Sequence, residues 1–247
     1  MSKAVGIIPA RWGSTRFPGK PLHSIAGKPL LKHVWERCQR SKSLDLVVVA
    51  TDDMRIASAA FDWGAEVALT SPKHSTGTNR AAEVARKTKH FAYVVNIQGD
   101  EPLIDPRLIN KLVEKLRSDS KIGVVTAAHP FKNPADAFSP HQVKVVLDLS
   151  GNALYFSRAP IPAQQKDGMF LRHQGIYGFR RETLLQFVRW KPSPLERAES
   201  LEQLRALENG VKVHVLVTAT GSPGIDTPED AMALEQKLAR AKRRIRR

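Results

Sequence analysis

Near its amino terminus the chain reads AVGIIPARWGSTRFPGKPL from Ala4 to Leu22. Residues 4–9 have the unbroken apolar character of a buried strand, and the loop that follows carries three cations, Arg11, Arg16 and Lys20, among glycines and prolines. Glycine allows a backbone to approach a ligand closely, and proline stiffens a loop. Because α/β folds bind ligands where loops leave the carboxyl ends of strands, this stretch predicts a cradle for the triphosphate of a nucleotide.

Two well-known phosphate-binding loops do not fit this stretch. A P-loop has four residues between its glycines and a Ser or Thr after its lysine, whereas five residues separate Gly13 from Gly19 and Pro21 follows Lys20. The G-x-G-x-x-G dinucleotide fingerprint is absent as well. An ordinary basic surface loop is the remaining alternative, and the preceding strand, the glycines and the stiffening prolines favour the phosphate cradle over it.

Strand-like and helix-like segments alternate along the chain, as in a mainly parallel sheet with helices on both faces. The predicted strands are residues 4–9, 46–50, 66–69, 93–97, 124–128, 143–147, 153–156, 174–179 and 213–217. The predicted helices are 30–40, 53–63, 106–118, 182–190 and 195–209, one capped by Thr78 that reaches Lys89, and one opened by Thr227-Pro228-Glu229. No linker is long enough to separate independent domains, so the pattern predicts a single α/β domain whose middle is an antiparallel insertion or an extension of a mixed sheet.

Composition limits the class of protein. The 247 residues contain a single cysteine, Cys38, so an intrachain disulfide or a cysteine metal cluster is impossible, and a reducing compartment is expected. Cys38 falls inside a predicted helix and is interpreted as a core residue rather than a nucleophile. The sequence has no apolar run long enough to span a bilayer and no visible signal peptide. These features predict a cytoplasmic protein without a transmembrane segment.

The formal net charge of +15 raises the hypothesis of a nucleic-acid-binding protein. That class predicts aromatic stacking platforms or a recognisable binding module, and the chain has few aromatics and no such module. No nucleic-acid partner is therefore expected. Much of the excess charge lies at the carboxyl end, in Lys237, Arg240, Lys242, Arg243, Arg244, Arg246 and Arg247. We interpret this tail as a solvated helix end that makes at most a weak contact with anionic membranes.

Six further segments follow the first loop in a fixed order. They are His74–Arg80 (HSTGTNR), Asn96–Pro102 (NIQGDEP), Leu154–Arg158 (LYFSR), Arg172–Gly178 (RHQGIYG), Leu201–Arg205 (LEQLR) and Gly224–Asp230 (GIDTPED). With the first loop they resemble the 3-deoxy-manno-octulosonate (Kdo) cytidylyltransferase family over nearly the whole chain. Asn79 departs from the resemblance, because the family usually has an acidic residue at that position.

The resemblance implies a nucleotide-diphospho-sugar transferase-like fold and transfer of CMP from CTP to the anomeric hydroxyl of Kdo, with release of pyrophosphate, for lipopolysaccharide synthesis. It also implies a core at 1–122 and 211–247 with a smaller inserted antiparallel or mixed lobe for sugar binding and dimerisation at about 123–210. Mg²⁺ as cofactor and a homodimer as the working assembly are implied as well. A neighbouring cytidylyltransferase for another 2-keto sugar acid, such as sialic acid or an amino-substituted octulosonate, is the alternative; the LEQLR segment and Phe156-Ser157-Arg158 favour Kdo.

The family roles carry over to matched positions. Arg11, Arg16 and Lys20 are expected to hold the triphosphate and to stabilise charge on the departing pyrophosphate. Asp100 and Asp226 are expected to bind magnesium, although a turn-former and a helix cap are the ordinary interpretations of these two residues. The expected nucleotide-binding set is completed by Ala10, Thr76, Gly77, Arg80 and Gln98. The expected sugar-binding set is Arg158, which would pair with the carboxylate of Kdo, and His173, Tyr177, Glu202 and Gln203, which would bind its hydroxyls.

Overall fold

The strands of the main sheet meet in an order that places the first strand near the centre. The computed structural model describes residues 2–13, 17–163 and 170–245, with side chains described up to residue 240. The strands are β1 (Lys3–Ala10), β2 (Ser24–Ile25), β3 (Lys28–Pro29), β4 (Leu46–Thr51), β5 (Glu66–Leu69), β6 (Phe91–Asn96), β7 (Val124–Pro130), β8 (Lys144–Leu147), β9 (Ala153–Ser157), β10 (Leu171–Arg180) and β11 (Val213–Val217).

The main sheet is parallel along most of its width. Its order is β11-β7-β10-β6-β1-β4-β5, and β10 is the one strand of this path that runs antiparallel to its neighbours. Strands β8 and β9 lie off the path, where β8 pairs with both β10 and β9, and β2 pairs with β3 in a separate hairpin. The carboxyl ends of β1 and β6 therefore lie side by side at one edge, where ligands bind in open α/β sheets.

Helices cover both faces of this sheet. They are α1 (Leu30–Cys38), α2 (Met54–Asp62), α3 (Gly77–Lys87), α4 (Pro106–Ser118), α5 (Arg181–Phe187), α6 (Pro194–Glu199), α7 (Leu204–Glu208) and α8 (Pro228–Ile245). Alternate residues of β1 separate the two cores: Ala4 and Ile8 pack with α1, α2 and α4, whereas Val5 and Ile7 pack with α3, α5 and α7. The predicted fold class, a mainly parallel sheet flanked by helices, is confirmed.

Three details of the fold differ from the expectations. The predicted helix at 195–209 is two helices, because Ser200 between α6 and α7 adopts a left-handed conformation with φ 52° and ψ 47°. Helix α3 is capped by Thr76 rather than Thr78, since the Thr76 hydroxyl accepts the backbone N–H of Asn79. Strands β7 and β10 lie inside the main sheet, between β6 and β11. The division into a core and an inserted lobe stays a prediction.

The first half of α8 packs beside the amino-terminal loop. A small core joins Ala231 and Leu234 of α8 to Phe17, Ile25 and Leu30, and the Glu235 carboxylate accepts the Ala26 N–H at 2.8 Å. Cys38 is fully buried in α1, as expected, and burial raises the pKa of its thiol. Within the described ranges, no helix has both the length and the apolar character needed to cross a membrane.

Candidate active site

A cleft of about 360 Å³ opens at the carboxyl edge of β1 and β6. Its wall combines the end of β1, the start of α3, the loop after β6 and the loop before α8. The lining residues are Pro9, Ala10, Arg11, Lys20, Pro21, His74, Ser75, Thr76, Gly77, Arg80, Gln98, Gly99, Asp100 and Asp226. We call it the nucleotide cleft, because it gathers nearly all residues that the sequence assigns to the nucleotide and the metal.

Lys20 joins three distant parts of the chain within this cleft. Its Nζ donates to Asp100 Oδ2 at 2.7 Å, to the Ile225 carbonyl at 2.9 Å and to Asp226 Oδ1 at 3.4 Å. The Ile225 N–H in turn donates to the Asp100 carbonyl at 2.9 Å. The ammonium group therefore lies between the two carboxylates that the sequence assigns to magnesium, and it ties the loop before α8 to the loop after β6.

The amino terminus of α3 faces the nucleotide cleft. The backbone N–H groups of a first helical turn have no intrahelical partner, and a helix start carries partial positive charge, so this position suits phosphate. Arg80, one turn into α3, is 3 % exposed and is held by an ion pair with Asp52 at 3.3 Å and a bond to the Thr70 hydroxyl. These contacts fix the guanidinium in the wall of the cleft instead of leaving it in solvent. The Asn79 side chain bonds Ser75 Oγ at 3.2 Å.

A second cleft of about 310 Å³ adjoins the first, and Gly77 and Gln98 line both. Its other lining residues are Thr78, His141, Gln142, Val143, Arg172, His173, Gly175, Tyr177, Leu201, Glu202 and Gln203. Gln98 Nε2 donates to the Gly175 carbonyl at 3.0 Å, which fixes the side chain between the two spaces. We call this space the sugar cleft, since four of the five residues assigned to the sugar line it.

Glu202 connects the two clefts through hydroxyl groups. Its carboxylate accepts from Thr76 Oγ1 at 3.0 Å and from Thr78 Oγ1 at 2.7 Å. Burial raises the pKa of Glu202, and the bonds from Thr78 and Thr76 oppose that rise. Glu202 lies in the segment between α6 and α7, just after the left-handed Ser200 that ends α6.

His173 is held as a neutral imidazole. Thr126 Oγ1 donates to the Ile176 carbonyl at 2.8 Å, so it accepts from the protonated Nε2 of His173 at 2.9 Å. Burial lowers the pKa of His173 to about 3, and the ring packs against Phe156 and Tyr177. This arrangement leaves Nδ1 as a hydrogen-bond acceptor. Burial also raises the pKa of the Tyr177 hydroxyl, which stays protonated and can donate.

Arg158 lines neither cleft. Its guanidinium donates to the backbone carbonyls of Glu199, Pro140 and Ser200 at 2.8, 3.0 and 3.3 Å. Two of these carbonyls lie at the end of α6, so Arg158 satisfies groups that the helix break leaves open. Its predicted pairing with the sugar carboxylate stays a prediction. Arg16 lies outside the described residues.

Three residues of the matched segments were not singled out from the sequence, and one of them lines a cleft of the site. Arg172 lines the sugar cleft. Glu101 is 7 % exposed and accepts from Gln174 Nε2 at 2.7 Å. Burial is the main cause that raises the pKa of Glu101 to about 7, with a further rise from the charge of Asp100. The sequence signal for all three was their place beside Asp100 and His173 in the NIQGDEP and RHQGIYG segments.

The pair of carboxylates fits a magnesium site completed by substrate. Mg²⁺ in nucleotide enzymes is usually held by one or two carboxylates together with phosphate oxygens and water. Asp100 and Asp226 already converge on one cation, the Lys20 ammonium, whose positive charge offsets the negative charge of the two carboxylates. Among the described residues no group of three or more His, Cys, Asp or Glu side chains forms a cation site, so these two carboxylates would need oxygens from the nucleotide.

Comparison with known proteins agrees with this geometry. A cytidylyltransferase family model matches residues 5–213. The 3-deoxy-manno-octulosonate cytidylyltransferase of Marinobacter nauticus is 48 % identical over 92 % of this chain and 94 % of its own length. The proteins of that name from Geobacter metallireducens and Pseudomonas syringae pv. tomato are 46 % and 49 % identical; they cover 96 % and 94 % of this chain, and the matches span 98 % and 96 % of those proteins.

Solved structures give the same result. The CMP:2-keto-3-deoxy-manno-octonic acid synthetase complexed with CTP superposes with a TM-score of 0.93 at 40 % identity, covering 97 % of this chain and all of that one. A cytidylyltransferase from Leptospira borgpetersenii, 23 % identical with a TM-score of 0.65 over 95 % of this chain and 86 % of that one, shares the fold. The extent and identity of these matches show that the chain belongs to the cytidylyltransferase family, among its 3-deoxy-manno-octulosonate cytidylyltransferases.

Proposed function

We propose that this chain transfers CMP from CTP to the anomeric hydroxyl of Kdo and releases pyrophosphate. The observation that carries the proposal is the pair of adjoining clefts: one has phosphate-binding character, the other is polar, and Gln98 and Gly77 line both. A bound nucleotide and a bound sugar would thus meet at a shared wall. The relatives named for this reaction, and the CTP complex of a 40 % identical structure, support the assignment.

Charge neutralisation is the main demand of such a transfer, because phosphoryl-group transfer needs in-line positioning and electrostatic stabilisation more than a covalent nucleophile. Arg11, Lys20 and the first turn of α3 supply positive charge and N–H donors along one cleft. Preorganised donors of this kind stabilise charge that develops on a leaving group. We assign them to the triphosphate, with Arg16 as a further candidate from the sequence. Ala10, Thr76, Gly77 and Arg80 are assigned to the nucleotide.

We further propose that Asp100 and Asp226 hold Mg²⁺ together with the nucleotide. A metal ion there would lower the pKa of the attacking hydroxyl and polarise the phosphate. Lys20, which lies between the two carboxylates and lines the nucleotide cleft, would then be free to contact phosphate oxygens. The Asp100 side chain is 30 % exposed and that of Asp226 is 56 % exposed, so substrate has access to both.

The sugar cleft offers complementary groups for a hydroxyl-rich acid. His173 Nδ1 and the Glu202 carboxylate can accept from hydroxyls, while Tyr177 and Gln203 can donate. Arg172 lines this cleft and supplies a guanidinium fork that matches a carboxylate. We therefore assign the sugar carboxylate to Arg172, with Arg158 kept as the candidate that the sequence resemblance suggests.

Release of pyrophosphate tests the proposal directly. Wild-type protein with CTP and Mg²⁺ should release pyrophosphate with Kdo, and far more slowly with sialic acid. Asp100→Asn and Asp226→Asn should each lower kcat by about a hundredfold or more, the usual loss for one transition-state charge contact. Asp62→Asn, which removes an exposed carboxylate at the end of α2, is the matched control. Equal turnover with sialic acid, or none with any octulosonate, would contradict the substrate assignment.

The cellular setting completes the proposal. We propose a homodimer that acts in the cytoplasm and supplies lipopolysaccharide synthesis. The support is the resemblance to the family, together with the buried single thiol of Cys38, which suits a reducing compartment. Sedimentation of the purified chain at micromolar concentration tests the dimer: a monomer at all concentrations would contradict it.

A further inference from the structure

A third cleft, of about 530 Å³, lies on the chain apart from the nucleotide and sugar clefts and shares no lining residue with either. It is lined by the end of α1, the start of α4, Gln174 of β10 and residues 217–222, which begin at the last residue of β11. The proposed reaction has no role for it. Its volume is comparable with the spaces that take small metabolites in other proteins.

The charge of this third cleft is predominantly positive. Arg37, Arg107 and Lys111 line it, and Asp105 is the one acidic residue among the described residues of its lining. Asp105 is already paired, because it accepts from Arg107 Nη2 at 2.9 Å and caps α4. Arg37 and Lys111 have no acidic partner among the described residues at ion-pair distance. The charge of Arg37 helps to lower the pKa of Asp105 from beyond ion-pair distance, so an anionic group would find two cations here that hold no ion pair.

Two residues that line this cleft each carry a buried polar atom with no hydrogen-bond partner in the described part of the chain. The two atoms are Gln174 Oε1 and Ser222 Oγ. Gln174 is 5 % exposed, and its orientation is fixed because its Nε2 donates to the Glu101 carboxylate at 2.7 Å. The amide oxygen is thereby left as an acceptor, and a buried acceptor without a partner is costly. A ligand hydroxyl would satisfy it, and a second hydroxyl would satisfy Ser222.

We propose that the third cleft binds a small organic anion that also carries hydroxyl groups, such as a phosphorylated or carboxylated polyol. The anionic group would contact Arg37 and Lys111, and its hydroxyls would contact Gln174 Oε1 and Ser222 Oγ. The requirement for both kinds of group follows from the lining, which offers cations at the rim and unpaired polar atoms in the wall. Inorganic phosphate supplies the anionic group without a polyol chain, and an uncharged polyol supplies the hydroxyls without the anionic group.

Isothermal titration calorimetry tests the proposal with sn-glycerol 3-phosphate and D-gluconate as probes. Saturating CTP without metal or sugar acid keeps the nucleotide cleft filled. Binding of either probe is expected, glycerol is expected not to bind, and inorganic phosphate is expected to bind more weakly. Whichever of the two probes binds tells whether the site takes phosphate or carboxylate. Arg37→Gln/Lys111→Gln should weaken that probe by about tenfold or more, since a hydrogen bond to a charged group contributes at least that factor.

Two control variants test whether the probe occupies the third cleft. Arg86→Gln/Lys89→Gln removes the same charge from exposed positions near the end of α3 and should leave binding unchanged. Arg172→Gln should also leave binding of the probe unchanged. If Arg172→Gln lost binding while Arg37→Gln/Lys111→Gln kept it, the probe would lie in the sugar cleft and the proposal would be overturned. Absence of binding by the wild type would also overturn the proposal. A change in molecular mass by light scattering in Arg37→Gln/Lys111→Gln would overturn it too, because it would mean that a second copy of the chain covers the cleft.

Discussion

Gly99 lies where the loop after β6 crosses the end of β1, and adding one methyl group there tests how strictly the nucleotide cleft is positioned. A Cβ at this position would lie 2.9 Å from the Pro9 carbonyl oxygen and 3.5 Å from a methyl group of Leu31. Gly99 has no positive φ, so alanine is allowed by the backbone itself. Gly99→Ala therefore perturbs one thing only, the separation between Pro9 on β1 and the loop that carries Gln98 and Asp100.

The size of the effect follows from that distance. A carbon–oxygen contact at 2.9 Å is about 0.6 Å shorter than a comfortable separation of roughly 3.5 Å. Overpacking of a dense interior by one carbon costs about 1–3 kcal/mol, which corresponds to a fall in Tm of roughly 4–8 °C at the middle of that range for a chain of this size. Since a 1 Å displacement of catalytic groups can cost about a hundredfold, a shift of half that size should lower kcat/KM for CTP by about tenfold.

Pyrophosphate release and thermal unfolding measure both effects on the same preparation. Gly224→Ala is the matched control: it makes the same chemical change two residues before Asp226, where a Cβ would meet nothing within 4 Å. The control should keep wild-type kinetics and Tm. If Gly99→Ala kept kcat/KM within a factor of about two and an unchanged Tm, the close approach of Pro9 to Gly99 would not position the cleft, and the reasoning would fail.

Three other predictions concern a buried ammonium, an imidazole and the carboxyl-terminal tail. Lys144→Met should lower the free energy of unfolding by about 2–4 kcal/mol in urea titrations, because the fully buried Nζ donates to the carbonyls of Ser139, Gln142 and Arg158; a loss below about 0.5 kcal/mol would contradict a structural role. For His173 the folded pKa of about 3 lies below the unfolded value of about 6.5, so the unfolded state binds the extra proton between these values and stability falls as the pH drops through that window. His173 should contribute about 1.4 kcal/mol per pH unit to the slope, and His173→Gln should remove this contribution in urea titrations between pH 7.5 and 4.5; equal slopes for the wild type and the variant would refute it. Deletion of residues 241–247 should leave CTP and sugar kinetics unchanged, and a kinetic loss would show that the tail contributes to the site.

The sequence pattern was sufficient to predict strands and site residues that depend on a single segment of the chain. The apolar run at 4–9 becomes a central strand because its alternate residues pack on both faces of the sheet. Lys20, Asp100 and Asp226 were predicted to share one site, and their side chains do meet. In each case the motif stands at the carboxyl end of a strand or at the start of a helix, so its position in the fold follows from its position in the sequence.

Long-range contacts decide what the pattern missed. The left-handed Ser200 carries no sequence signal. The carbonyls of Glu199 and Ser200 at the break accept from Arg158, which lies 41 and 42 positions earlier in the chain. From sequence alone, the Arg158 guanidinium could be assigned to a sugar carboxylate as readily as to backbone carbonyls. Arg172 begins the RHQGIYG segment, but only the strand geometry of β10 reveals which residues of that segment line the sugar cleft.

The order in which the chain leaves the ribosome determines when the contacts of Lys20 with Asp100 and Asp226 can form. Lys20 emerges early, Asp100 follows 80 residues later and Asp226 follows 206 residues later. A nascent chain can therefore pair β1 with β4 and β6 long before the carboxylate before α8 exists. Chains released early by a premature stop would have much of the sheet and a cationic loop, yet lack Asp226 and the α8 residues that pack on Phe17. Incomplete synthesis products should bind nucleotide phosphates through charge alone and turn over nothing.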